Sequence, residues 1–197
     1  MATSVHRHAL GLTWAEDSGM RRAAHALVHD GRVWLVDPFE DAEALRAAAE
    51  LGPPAAVVQL LDRHARDCAQ LSHRLRVAHL RLPAVIPDSP FHVVPVLWRR
   101  WWKEVALWWE SERTLVVAEA VGTAPALALG RRLGVHPLLR LAPPRAALTA
   151  HRPELLLVGH GPPLESDAAG AIDAALDASR SDLPRLAIRL PSLLRGG

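Results

Sequence analysis

Five polar groups stand at or near the ends of apolar runs in this 197-residue chain: Asp37 after VWLV, Asp62-Arg63-His64-Ala65-Arg66-Asp67-Cys68 after VVQLL, Arg100 to Lys103, Glu119 after TLVVA, and His160 after LLLVG. Carboxylates, imidazoles, a thiol and guanidinium groups in such places can act together. Side chains just past the ends of buried strands converge on one edge of an α/β scaffold that stays rigid. Asp62, Arg63, His64, Arg66 and Arg100 are expected to line the pocket so formed. His64, with a reference pKa near neutrality, suits a general base or a metal ligand; the alternative is a hydrogen-bonding or surface residue beside two arginines. His6, His8, His25, His29, His73, His79, His92, His136 and His151 show no ligand spacing beyond the His6/His8 pair and read as structural or solvated.

The elements that must position these groups follow from periodicity and punctuation. AHALVHDGRVWLVD, from Ala24 to Asp37, holds two apolar runs around Asp30-Gly31, a strong hairpin signal, and reads as the opening hairpin. EDAEALRAAAEL, from Glu40 to Leu51, has acids in its first turn and a Gly-Pro-Pro stop, which predicts a helix. Ala55 to Leu61 is apolar almost throughout and suits a strand covered on both faces. A helix from about Cys68 to Leu75 and a short strand near Val77 to Leu82 come next. Phe91 to Val121 reads as β structure, Pro125 to Leu133 and Pro144 to His151 as helices, and Leu155 to Val158 as a further buried strand. Ser166 to Arg180 predicts an amphipathic helix with Ser166 as its N-cap, and the chain from about 183 reads as an irregular tail. No repeat or Gly/Ser linker divides the sequence, so 1–197 is expected to be a single domain. Two β-rich stretches, each followed by helices, predict two sheets packed face to face with helices outside.

Composition narrows the function classes. Half the residues are apolar and 22% are charged, with one Cys and no long uninterrupted apolar run, which argues against a membrane span, a disulfide scaffold or a disordered chain. There are 22 Arg against one Lys, Lys103, and neither Asn nor Tyr, a bias that fits GC-rich coding. A net charge of +2, with arginines interleaved among acids, is too small a footprint for nucleic acid. Neither nucleic acid nor a membrane is an expected partner. MATSVHRHALGLTW carries no secretory apolar core or cleavage signature, so a cytoplasmic location is the default expectation.

ALVHDGRVWLVDPFED, TLVVAEAVG and LLLVGHGPPL, in this order and spacing, resemble the metallo-β-lactamase fold superfamily: its opening hairpin, the strand that normally ends in Gly-Asp, and the closing GHGPP turn. The resemblance covers most of the chain and implies an α/β fold, a four-layer αββα sandwich of two mixed β-sheets with outer helices. It also implies a metal site, whose signature, HxHxDH after the first buried strand, sets imidazoles and a carboxylate around one or two ions that activate water. Set against that signature, the first His position holds Arg63 and the second Ala65, and a later ligand His falls near Arg100 to Trp102, none of them His. Asp67 is retained, Cys68 stands for a His, Glu119 for the bridging Asp, and His160 is retained. The resemblance therefore leaves Asp67, Cys68, Glu119 and His160 as candidate ligands for one divalent ion, Zn or Fe.

The competing expectation is that no metal binds. Carboxylates deprived of their cation keep uncompensated charge unless a counterion replaces it, and Arg63, Arg66 or Arg100 can supply a planar guanidinium to Asp67 or Glu119. On that reading the protein is a degenerate, non-hydrolytic member that binds a small molecule. On the other it is a mono-metal hydrolase of an ester, thioester or phosphoester. The Trp cluster, Trp98, Trp101, Trp102, Trp108 and Trp109, reads mainly as core packing with Trp108 and Trp109 on opposite faces; the remaining rings could line a pocket or make a homo-oligomer through the Trp-rich strands.

Overall fold

The structure is a computed structural model that describes residues 2–17 and 20–186. Among these residues the principal elements follow one another as β1 (Thr3–His8), β2 (Gly11–Glu16), β3 (Ala23–His29), β4 (Arg32–Val36), α1 (Ala42–Ala49), β5 (Pro54–Gln59), α2 (Cys68–Leu75), β6 (Ala78–Arg81), β7 (Phe91–Arg99), β8 (Trp102–Trp109), β9 (Thr114–Val117), β10 (Val121–Gly122), α3 (Pro125–Ala128), β11 (Gly134–Val135), α4 (Arg145–Thr149), β12 (Leu155–Val158) and α5 (Ala168–Ala178). A six-stranded sheet runs β1-β2-β3-β4-β5-β6, and a four-stranded sheet runs β12-β9-β8-β7. Both are mixed: β4, β5 and β6 are parallel neighbours, as are β12 and β9, and the remaining pairs within these two sheets are antiparallel. The expected α/β architecture of two mixed sheets and helices is what forms.

The layers follow from which faces are apolar. One core lies between the sheets, with Leu27, Trp34 and Val58 from the first facing Leu107, Val116 and Leu157 from the second. A separate cluster, including Leu12, Trp14, Leu35, Ala44, Val57 and Leu71, seals α1 and α2 against the other face of the first sheet. Trp109 meets Phe91 on the inter-sheet side, whereas Trp108 stacks on His151 just past α4, so the two rings take opposite faces of β8 as their adjacency requires. Trp102, Trp108 and Trp109 are buried, while Trp98 and Trp101 are exposed. No helix among the described residues is long and apolar enough to cross a membrane.

The β3–β4 hairpin turns at Asp30 and Gly31, both with positive φ, as a two-residue turn demands. It is not the opening hairpin, however. β1 and β2 pair ahead of it over Thr3–His8 and Gly11–Glu16. β1 is an edge strand with four exposed residues in six, so it lacks the alternation by which strands are read, and its pairing is set by the buried β2. The expected helix at 125–133 is a single turn, Pro125–Ala128, because Leu129 and Gly130 turn into positive φ. At α5 the N-cap residue is Asp167, not Ser166; Ser166 instead accepts from Arg132. Residues 183–186 are helical, and the rest of the expected irregular tail lies outside the described residues.

Candidate metal centre

The site is built by strand ends. Asp37 follows β4, His64 lies in the loop after β5, Glu119 follows β9, His136 follows β11 and His160 follows β12. The parallel pairs β4/β5 and β9/β12 carry their C-terminal ends to the same edge of the sandwich, which is why residues distant in sequence meet. Gly159 makes the last approach possible: a Cβ there would lie 2.1 Å from the Ala118 carbonyl oxygen, so only glycine lets the β12 end lie against the β9 end.

Glu119 is the centre. Its Oε2 accepts from Arg63 Nε at 3.1 Å and lies 3.0 Å from Arg63 Nη2. Three imidazole Nε2 atoms surround the same carboxylate: His136 at 3.5 Å and His160 at 3.7 Å from Oε1, His64 at 3.9 Å from Oε2. Burial alone would raise the Glu119 pKa, but His64, His136, Arg63 and His160 outweigh it and hold the carboxyl below its ordinary range.

Two of the imidazoles are oriented from behind. His64 Nδ1 lies 3.0 Å from Asp37 Oδ2. Asp37 is buried; burial would raise its pKa, but the hydrogen bond and charge of His64, then Arg66 and the Leu60 N–H, bring it below the usual value. A carboxylate can only accept, so the His64 Nδ1–H donates to it, and Nε2 is the ring nitrogen on the Glu119 side. His160 Nδ1 donates to the Met20 carbonyl at 2.9 Å. Burial first, then the nearby His64, pushes its pKa down to about 4, so the ring is neutral at pH 7. Its Nε2 is buried and, among the described residues, has no hydrogen-bond partner. Among the described residues, ligand atoms of His64, Glu119 and His160 all lie within 4.8 Å of one another. Two imidazole Nε2 atoms and a carboxylate grouped in this way form a donor set that suits a divalent cation.

The structure assembles half of the expected ligand set. Glu119 and His160 meet, whereas Asp67 and Cys68 are outside that group. Asp67 Oδ2 accepts from the Glu40 N–H at 2.7 Å. Cys68 begins α2 with its sulfur buried in the sheet–helix layer, facing the His64 and Pro38 carbonyls at 3.7 and 4.0 Å. Burial, then the charge of Asp37, pushes its thiol up to about 12, so it is no thiolate. The cause is the path of the loop: Arg66 takes positive φ, and this turn directs His64 inward while Asp67 and Cys68 run into the helix.

The expected pocket arginines divide. Arg63 reaches Glu119 and also stacks on Trp102, with the guanidinium carbon 3.8 Å from the ring centroid. Among the described residues Arg66 pairs with no carboxylate; its guanidinium donates to the carbonyls of Ala23, Asp37 at 2.6 Å and Gly159 at 3.0 Å, tying three chain segments together beneath the site. Arg100 is exposed at the β7–β8 turn. Asp62 makes backbone bonds to Lys103 and Arg81 and does not contact Glu119. His136, read from the sequence as structural or solvated, stands at the site. Glu104, the lone acid within the β8 run, was not singled out either: its Oε1 accepts the backbone N–H groups of Ala118, Glu119 and Ala120 at 3.2, 2.9 and 3.1 Å, and its Oε2 accepts from Trp102 Nε1 at 2.7 Å. A single acid inside WKEVALWW is the available signal, since buried charge persists only where it is satisfied.

Neither a family model nor a curated protein matches the chain. Solved structures do. The chain is similar to the DIM-1 metallo-β-lactamase at TM-score 0.60 and 12% identity, over 91% of this chain and 95% of that one. It is similar to TMB-1 at TM-score 0.61 and 7% identity, over 91% and 99%, and to VMB-1 at TM-score 0.61 and 8% identity, over 91% and 97%.

Proposed function

We propose that this chain of metallo-β-lactamase fold is a metal-dependent hydrolase whose single divalent ion, Zn or Fe, is held by His64, Glu119 and His160. The observation that carries the reading is the orphaned His160 Nε2, buried and aimed with His64 Nε2 at the Glu119 carboxylate. Imidazole nitrogens backed by a carboxylate or a carbonyl are how proteins preset neutral histidine for metal, and Asp37 and the Met20 carbonyl stand in those places. When bound, such an ion polarises a substrate oxygen and lowers the pKa of water.

The chain's own groups supply the rest. Asp37 fixes the proton at Nδ1 of His64, and Met20 fixes it at Nδ1 of His160. Arg66 keeps the ends of β4 and β12 in place. His136, with Nε2 3.5 Å from Glu119, is placed to take or give a proton at that atom. Arg63, 39% exposed in its side chain, stands across the mouth, where a guanidinium can meet the oxygen of an ester, thioester or phosphoester.

One observation favours a second reading, a non-hydrolytic small-molecule binder: Arg63 already neutralises Glu119. Elemental analysis of protein made without chelator or polyhistidine tag separates the two. About one Zn or Fe per chain, lost in His160→Ala and kept in Arg63→Ala, supports the metal centre. No metal after metal-replete growth, with a thermal midpoint unchanged by EDTA, refutes it and leaves Arg63 as the counterion.

A further inference from the structure

Three imidazoles surround Glu119, and their Nδ1 atoms do not face the same kind of group. His64 and His160 turn Nδ1 to acceptors, the Asp37 carboxylate at 3.0 Å and the Met20 carbonyl at 2.9 Å. His136 turns it to a donor: Nδ1 accepts from the Leu138 backbone N–H at 3.2 Å. The local sequence explains the inversion. Pro137–Leu139 is a single 3-10 turn with His136 as its N-cap. Pro137 has no N–H, so Leu138 carries the first free amide of the turn, and the imidazole stands where a Ser or Asp oxygen usually does. A nitrogen that accepts carries no proton, so the one proton of the His136 ring is on Nε2. The residue is held in place as well: its backbone N–H donates to the Ala120 carbonyl at 3.0 Å, and its ring meets that of Trp102 with centroids 4.9 Å apart at 67°. Nε2 then stands 3.5 Å from Glu119 Oε1, longer than a well-made N–H···O bond.

We propose that His136 is the oxyanion donor of this site, giving a hydrogen bond from Nε2–H to the charged oxygen that develops on the carbonyl or phosphoryl group of the substrate. The assignment rests on the metal-dependent hydrolase reading and gives His136 a part that His64 and His160 do not share. Its tautomer sets that part. Nε2 already carries a proton, so it gives rather than takes, and the proton stays on nitrogen. Ligating an ion through the same atom would need the proton moved to Nδ1, against the Leu138 N–H. A donor fixed beforehand by its cap and by Trp102 needs no rearrangement when charge appears, which is where such groups are most effective.

Two measurements on the full chain test it without relying on turnover. Long-range 1H–15N spectra at pH 7, with and without Zn, are expected to show His136 protonated at Nε2 and bare at Nδ1. Calorimetric titration of the Zn-loaded protein with inorganic phosphate, a tetrahedral anion, then reads the donor. His136→Asn keeps an oxygen for the Leu138 N–H but lacks the outer N–H, whereas His136→Gln carries an NH2 out toward the Nε2 position. The asparagine variant should bind phosphate roughly tenfold more weakly with Zn affinity and thermal midpoint unchanged, and the glutamine variant should recover most of the loss. Four results overturn the donor role while leaving the metal reading intact: a proton on Nδ1 of His136, Zn affinity lost in His136→Asn as in His160→Ala, no phosphate binding by the Zn-loaded wild type, or equal phosphate affinity in wild type and His136→Asn. A wild type that binds no Zn overturns both readings, even with the tautomer as described.

Discussion

Replacing Glu104 tests whether one buried carboxylate holds the candidate centre together. Glu104 is fully buried, and its Oε1 is the acceptor for the N–H groups of Ala118, Glu119 and Ala120. Those N–H groups form the bend after β9 that aims Glu119. Glu104→Ala leaves three backbone donors and the Trp102 indole N–H without an acceptor. A stranded buried donor costs about 1–3 kcal/mol. Because the bend can relax and water can enter the space, we expect a total near the lower end, about 4 kcal/mol. For a domain of this size that lowers the thermal midpoint by roughly 8–16 °C, against a whole stability of about 5–15 kcal/mol. Glu104→Gln keeps a carbonyl oxygen for the three N–H groups but turns an NH2 toward the indole N–H, one mispaired donor, so about 1–2 kcal/mol is expected. Chemical denaturation with far-UV circular dichroism measures both variants, and the alanine variant should also lose metal affinity. A cost for Glu104→Ala below about 1 kcal/mol, or a cost for Glu104→Gln equal to it, refutes the acceptor argument.

Three other perturbations follow from the same geometry. In Asp37→Asn the one remaining oxygen serves the Leu60 N–H and an NH2 meets His64 Nδ1, so the tautomer that presents Nε2 is lost and Zn affinity, read by competition with a chromogenic chelator, should fall roughly 10–100-fold with the fold retained. Cys68, buried with its thiol pushed up to about 12, should stay unreactive toward a disulfide reagent at pH 8 in native protein and react at once in denaturant; fast native labelling would contradict its place behind the sheet. Asp182 has its pKa lowered first by the Arg131 hydrogen bond and faces buried Arg140 at 3.6 Å. A depressed carboxyl gives stability that is present above its unfolded pKa and lost as pH falls below it. Asp182→Asn should therefore cost about 3 kcal/mol at pH 7 by leaving Arg140 unpaired, and the gap to wild type should close on acidification below about pH 4.

The sequence by itself determined where chemistry would collect. Apolar runs ending in Asp37, Glu119 and His160 announce buried strands with polar ends, and the closing GHGPP needs its first glycine for the contact with Ala118. The Asp30-Gly31 hairpin, α2 and β12 are legible for the same reason: local periodicity and turn chemistry fix them. What only the tertiary structure decided is which neighbours in a loop face the site. His64, Arg66, Asp67 and Cys68 lie within five residues, and no periodicity governs a loop. One left-handed residue, Arg66, turns His64 toward Glu119 and sends Cys68 into a helix. His136 and Glu104 join the site through long-range packing, and the edge strand β1 is paired by its neighbour. Contacts of that kind depend on the register and stacking of two sheets, which no stretch of the chain carries on its own.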